Sequence, residues 1–193
     1  MCKVLELIAE RRFFMLSKEK VKESNLVYDG NILKLRRDKV ITCNGASAYR
    51  EIVVHNGGVG VVAITDDNKI CLVKQHRIAF DDFFVEIPAG KLEAGEGTDS
   101  AAARELSEET GYTAEKMIYM GYIVVSPGYC TEKVHLYLAK NLTAGQVHFD
   151  DDEDIEMLMY DFDEAVKMVL NGELTDAKTV YGILKAKCIL EGE

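Results

Sequence analysis

Apolar positions near the start of the chain, Val4, Leu5, Ile8, Phe13 and Met15, are spaced to predict a short helix within 1–18. Beyond Lys20 the rhythm shortens. Runs at 26–28, 31–37, 39–43 and 49–54 suit strands, and Asp29-Gly30 and Asn44-Gly45 are turn signals between them. They predict a small antiparallel sheet ahead of the main body. Gly57-Gly58 opens that body, and two apolar strands follow at 59–65 and 69–75, joined by Asp66-Asp67-Asn68. A strand over 83–87 ends at Pro88, and a loop rich in glycine and glutamate spans 89–97. Thr98 or Asp99 is placed to cap a helix reaching Thr110, with Gly111 as its stop. Strands are predicted near 116–125 and 133–140, an acidic loop at 150–154, and helices over 161–170 and 175–190. Mixed strands with few helices point to an α/β (α+β) sandwich with a mixed sheet. The expected organisation is an N-terminal sheet over 1–54 and a main domain over 55–193.

Composition narrows the function classes. Hydrophobic residues at 48% and charged residues at 29% are ordinary for a globular protein. The longest apolar run, 59–64, is far too short to span a bilayer, so no membrane role is expected. A formal charge of −10 disfavours a nucleic-acid partner, which calls for a basic face. It is compatible with a small polyphosphate, because carboxylates can hold divalent cations that in turn receive phosphate. Five cysteines scattered without a close pair suit reduced thiols and a cytoplasmic location.

The chemistry concentrates between Gly90 and Tyr112. On a helix, Glu105, Glu108 and Glu109 stand at i, i+3 and i+4 and share one face. Three like charges within one turn repel, so something must offset them, and Mg²⁺ or Mn²⁺ is the natural counter-charge. Arg104 is positioned to orient these carboxylates while leaving the cluster net negative. The opposite face, Ala101, Ala102 and Leu106, is small and apolar, suited to packing on a sheet. Taken alone, the glutamates fit a solvated acidic face as well as a metal site.

The spacing resembles the Nudix box at every defined position. Gly90 is followed by Glu96, then Arg104-Glu105-Leu106, then Glu108-Glu109 and Gly111, with Tyr112 where an aliphatic residue is usual. The resemblance implies a Nudix α/β/α sandwich in which Glu105, Glu108, Glu109 and the backbone carbonyl of Ala89 bind the metal. Arg104 would hold the glutamates, and Arg104 and Glu108 would count among the catalytic groups.

Outside the box, the chain is similar to the ADP-ribose pyrophosphatases of that superfamily. Arg50-Glu51 stands where the group has an Arg-Glu pair contributed to the adenine site by a partner subunit. Gln75-His76-Arg77 resembles its Gln-Tyr-Arg strand, with His for Tyr as a departure. Glu86 to Gly90 matches the lead into the box, Ser126-Pro127-Gly128 with Glu132 resembles its substrate loop, and Gly172 to Thr179 matches the start of its last helix. By resemblance, a catalytic base is sought in the acidic loop, at Asp151 or Glu153, although a solvated acidic turn reads equally well there. The implied activity is hydrolysis of ADP-ribose to AMP and ribose 5-phosphate by a homodimer that exchanges its N-terminal sheets. Two alternatives stand beside it: action on another nucleoside diphosphate sugar or a dinucleotide, and an ADP-ribose sensor that binds without cleaving.

Overall fold

The structure, a computed structural model, describes residues 17–146 and 154–192. The helix expected within 1–18 and most of the acidic loop, including Asp151 and Glu153, therefore fall outside the described residues. The chain divides into two compact units, the first ending at Val53 and the second beginning at Val54.

The first unit holds three strands, β1 (Lys20–Asp29), β2 (Lys34–Ile41) and β3 (Ser47–Val54), in the order β1-β2-β3. Both turn signals are used: Gly30 N donates to Leu33 O at 3.0 Å, and Gly45 takes a φ of 83° between β2 and β3. The two strands expected over 31–37 and 39–43 are instead one. Asp38 looks like a break in sequence, yet it is buried inside β2. Ser24 Oγ donates to its Oδ1 at 2.6 Å and Arg36 Nε lies 3.1 Å from its Oδ2. With partners for both oxygens, an aspartate can occupy an inward strand position.

The second unit is built on a seven-stranded sheet. Its main path runs β10 (Ile155–Asp161), β5 (Lys69–Arg77), β4 (Gly58–Ile64), β9 (Lys133–Ala144), β8 (Tyr112–Val124), with β6 (Asp82–Glu86) on β5 and β7 (Ala89–Lys91) on β4. β4 and β9 run parallel, Gly58 opposite Val134 through Ala63 opposite Ala139, and the other described pairings are antiparallel. Every residue of β4 is buried, as expected of a central strand covered on both faces. The pleat sorts its side chains: Val62 and Ile64 join Leu72, Leu136 and Leu138 on one face, and Val59, Val61 and Ala63 join Cys71, Tyr137 and Ala139 on the other. Helix α1 (Thr98–Thr110) covers the second face through Ala101, Ala102 and Leu106. Helices α2 (Phe162–Leu170) and α3 (Ala177–Gly192) cover the first through Phe162, Ala165, Ile183 and Ala186. The result is a mixed sheet between helical layers, the sandwich expected from sequence.

Several local expectations are corrected. The 89–97 loop begins with the short strand β7, which pairs Gly60 with Ala89 and Gly58 with Lys91. Neither Thr98 nor Asp99 caps α1; the cap position is Gly97, and Thr98 Oγ1 pairs with Tyr137 Oη at 2.6 Å instead. Gly111 does end α1, at a φ of 72°, its N–H bonded to Ser107 O. β8 and β9 are longer than predicted, and β10 was missed because its Ile155, Met157 and Met159 follow directly on a run of acids. No helix among the described residues is long and apolar enough to cross a membrane.

Candidate active site

The site is assembled where the second half of α1 faces β7. Packing of Ala102 and Leu106 against the sheet fixes the helix rotation, which carries Glu105 and Glu109 down toward β7 and leaves both buried. Ala89 N donates to Glu109 Oε2 at 2.9 Å, so the strand backbone anchors that carboxylate. One residue on, a side chain on Gly90 would overlap the Glu105 carboxylate. A Cβ on Gly58 would meet Gly90 O at 2.7 Å, so the close β4–β7 approach also depends on a bare backbone.

Arg104 organises the remaining charge. Its Nε and Nη2 both donate to Glu96, each at 3.0 Å, while Nη1 donates to Glu105 at 2.8 Å and Glu108 at 2.9 Å. Nη2 also donates to Lys91 O at 3.2 Å, tying the helix to the end of β7. The guanidinium is held even more firmly protonated than usual, chiefly by the Glu96 hydrogen bonds and then, against burial, by Glu105 and Glu108. The same bonds hold the Glu96 carboxyl below its ordinary range. One cation facing the carboxylates of Glu96, Glu105, Glu108 and Glu109 leaves the site net negative. Below it, burial and then the Glu109 charge push the Cys71 thiol up to about 12, so it stays neutral under the helix.

The donor set suits a hard divalent cation: carboxylate oxygens beside a glycine-bared backbone. Among the described residues no three acidic, histidine or cysteine side chains are yet drawn together closely enough to enclose an ion. A cation here would pull in Glu105, Glu108 and Glu109, whose shared face permits it.

A second charged cluster lies at the other end of the same segment. Arg77 grips the buried Glu86 through two bonds, Nε to Oε1 at 2.7 Å and Nη2 to Oε2 at 2.6 Å, and Lys178 Nζ also donates to Glu86 Oε2. Burial opposes ionisation of Glu86 most strongly, but hydrogen bonds from Arg77 and the charge of Lys178 outweigh it and hold the carboxyl below its usual range. Arg77 is therefore bound to a fixed carboxylate while 39% of its side-chain surface stays exposed. Sequence reasoning picked out Arg77 and missed Lys178 as its companion.

The other expected site residues make contacts of their own. Ser126 O closes a turn, accepting from Tyr129 N at 3.1 Å and Cys130 N at 2.8 Å. Glu132 Oε1 lies 3.5 Å from His55 Nδ1. In the first unit, Arg50 is paired with Glu19 at 2.5 Å and Glu51 is exposed.

Comparison with known proteins decides the family. Residues 54–181 match the NUDIX domain, which takes in α1, β7 and the Arg77–Glu86 pair. The chain belongs to the NUDIX family. A methanol dehydrogenase activator of Bacillus methanolicus is 41% identical over 170 residues, 87% of this chain and 92% of that protein. An ADP-ribose pyrophosphatase of Bacillus subtilis strain 168 is 42% identical over 167 residues, 86% of this chain and 90% of that protein. A crystal structure of an ADP compounds hydrolase superposes with a TM-score of 0.83 at 20% identity, covering 92% of this chain and 96% of its own, a likeness of fold. Nudix hydrolases generally use divalent metal ions, in keeping with the oxygen donors around α1.

Proposed function

We propose that this Nudix chain hydrolyses the diphosphate bridge of ADP-ribose, giving AMP and ribose 5-phosphate, with Mg²⁺ or Mn²⁺ as cofactor. The observation that carries the reading is the fastening of the acidic helix: Arg104 forks across Glu96, Glu105 and Glu108 while Ala89 N holds Glu109. Repelling carboxylates fixed in this way are what a cation site requires, and a plain surface face has no use for them. The name and 42% identity of the Bacillus subtilis relative support the substrate.

Glu105, Glu108 and Glu109, with the Ala89 carbonyl, would hold the ions, and Arg104 would set the carboxylate orientation. When bound, divalent ions polarise the phosphoryl oxygens and make water there more acidic. Arg77, fixed by Glu86 yet partly exposed, offers its remaining N–H donors to a phosphate oxygen. Ser126 and Glu132 line the substrate loop, and Asp151 or Glu153 takes the proton of the attacking water. We further propose a cytoplasmic homodimer in which Arg50 and Glu51 of one subunit complete the adenine site of the other. In support, Val21, Leu26, Val27 and Tyr28 of β1 are each more than half exposed in the single chain, which leaves apolar side chains of this strand for a second copy to cover.

The test is a panel of nucleoside diphosphate sugars and dinucleotides incubated with each metal, products resolved by chromatography. ADP-ribose should be cleaved fastest. Glu109→Gln should lose turnover by about 10²-fold or more while keeping its fold. Arg50→Ala should raise KM in the dimer. A folded Glu109→Gln enzyme with wild-type turnover overturns the metal assignment, binding without cleavage selects a sensor, and preference for another diphosphate changes the substrate.

A further inference from the structure

The five residues Glu86 to Gly90 run from the end of β6, where Glu86 is paired with Arg77 of β5, into β7, which meets Glu105 and Glu109, and each is fastened by a different contact. Arg77 and Lys178 hold the Glu86 carboxylate. Ile87 N donates to Thr179 Oγ1 at 2.9 Å, and both residues are fully buried. Pro88 O accepts from Val61 N at 2.8 Å, Ala89 N donates to Glu109, and Gly90 leaves room for Glu105. β6 ends at Glu86 and β7 begins at Ala89, so Ile87 lies between strands, and α3 supplies the acceptor for its N–H.

The first turn of α3 is itself rigid. Asp176 Oδ2 accepts from Thr179 N at 3.0 Å and Thr179 Oγ1 at 2.6 Å, and lies 3.1 Å from Lys178 Nζ. The hydroxyl of Thr179 thus donates to Asp176 and accepts from Ile87, with no rotational freedom left. Arg77 binds one edge of the Glu86 carboxylate through a two-bonded fork, and Lys178 takes a further lone pair on Oε2 from the α3 side. The carboxylate is thus held from two elements at once, which fixes its direction as well as balancing its charge.

We propose that Lys178 and Thr179 are positioning residues: the start of α3 holds Glu86 to Gly90 from one side while the carboxylate face of α1 holds it from the other, so that Arg77 and Glu109 are set relative to each other. The proposal rests on the reading that these two residues act on a diphosphate. Thr179 sets the height of Ala89 against Glu109, and Lys178 sets the direction in which Glu86 presents Arg77.

Kinetics on the full chain with ADP-ribose and Mg²⁺ test it. Thr179→Val, which keeps the shape and removes the acceptor, should lower kcat about tenfold with little change in KM, and Thr179→Ser should restore it. Lys178→Met leaves Glu86 paired with Arg77, so the protein should fold; KM should rise about five- to tenfold, with recovery in Lys178→Arg. Should both variants melt lower but keep wild-type kcat and KM where they are folded, the contacts are structural only and the proposal fails. Amide exchange supplies a readout independent of turnover. In Thr179→Val, exchange should accelerate about tenfold or more at Ala89 as well as Ile87. Acceleration confined to Ile87 overturns the clamp, whether or not the wild type cleaves any diphosphate. An inert wild type with coupled exchange would instead sink the functional reading alone.

Discussion

Gly90 and Glu105 compete for one volume: the space a side chain would fill on β7 is taken by a carboxylate from α1. The backbone there is not left-handed, so the need for glycine is one of room and not of φ. Gly90→Ala should therefore fold, because the flexible end of Glu105 can swing away, at a cost of about 1–3 kcal/mol. Its hydrolysis should fall at least tenfold as Glu105 leaves the donor set. Gly97→Ala is the control, since its Cβ would meet only Ser100 Oγ at 3.9 Å. Thermal melts with turnover assays on both variants decide the matter; equal activity in the two would show that Glu105 has no fixed station.

Arg104 reaches three carboxylates with a planar fork, a geometry that an ammonium cannot reproduce. Arg104→Lys keeps the charge and should still lose about 10–100-fold in metal affinity or activity, the usual effect of disturbing the partners that orient ligands. Mn²⁺ titration of the folded variant measures this directly. Unchanged affinity would mean that Glu105 and Glu108 orient themselves.

How much of this could be read in sequence depends on the range of the contact. The i, i+3, i+4 carboxylates and the Gly111 stop are local, and both were legible. So were the turns at Gly30 and Gly45. Ala101, Ala102 and Leu106 do pack on the sheet, but not from the face opposite the glutamates as expected: at about 100° per residue they share a side with Glu105 and Glu109, which are buried beside them. Asp38 was not legible, because its acceptability in β2 depends on Ser24 across the sheet. The cap of α1 went wrong for a similar reason: Thr98 had a competing partner in Tyr137, 39 residues away. Lys178 and Thr179 were visible as part of a familiar stretch but without a task. Their contacts, with Glu86 and Ile87, each span 92 residues, a pairing that neither periodicity nor propensity encodes. Nothing about the chemistry of a lone Lys-Thr pair announces it.

Glu86 supplies a prediction about pH. Its carboxyl is held below the ordinary 4.5 despite burial, which opposes ionisation, by Arg77 and Lys178. A lowered folded-state value means the stabilisation is fully present above about pH 4.5, the unfolded value, and fades as pH falls through the folded one. Replacing one member of a buried pair costs about 3–5 kcal/mol, and the figure here belongs at or below the lower end because Arg77 keeps 39% of its side-chain surface exposed and can be rehydrated. Glu86→Gln should consequently melt well below the wild type at neutral pH. The gap should narrow steadily once the pH drops under about 4.5, as wild-type Glu86 takes up its proton and the two side chains become alike in charge. Paired melts across that range measure it. A gap that holds constant down to about pH 3 would show that the ionised carboxylate contributes nothing, and that Gln fails at this position for reasons of shape.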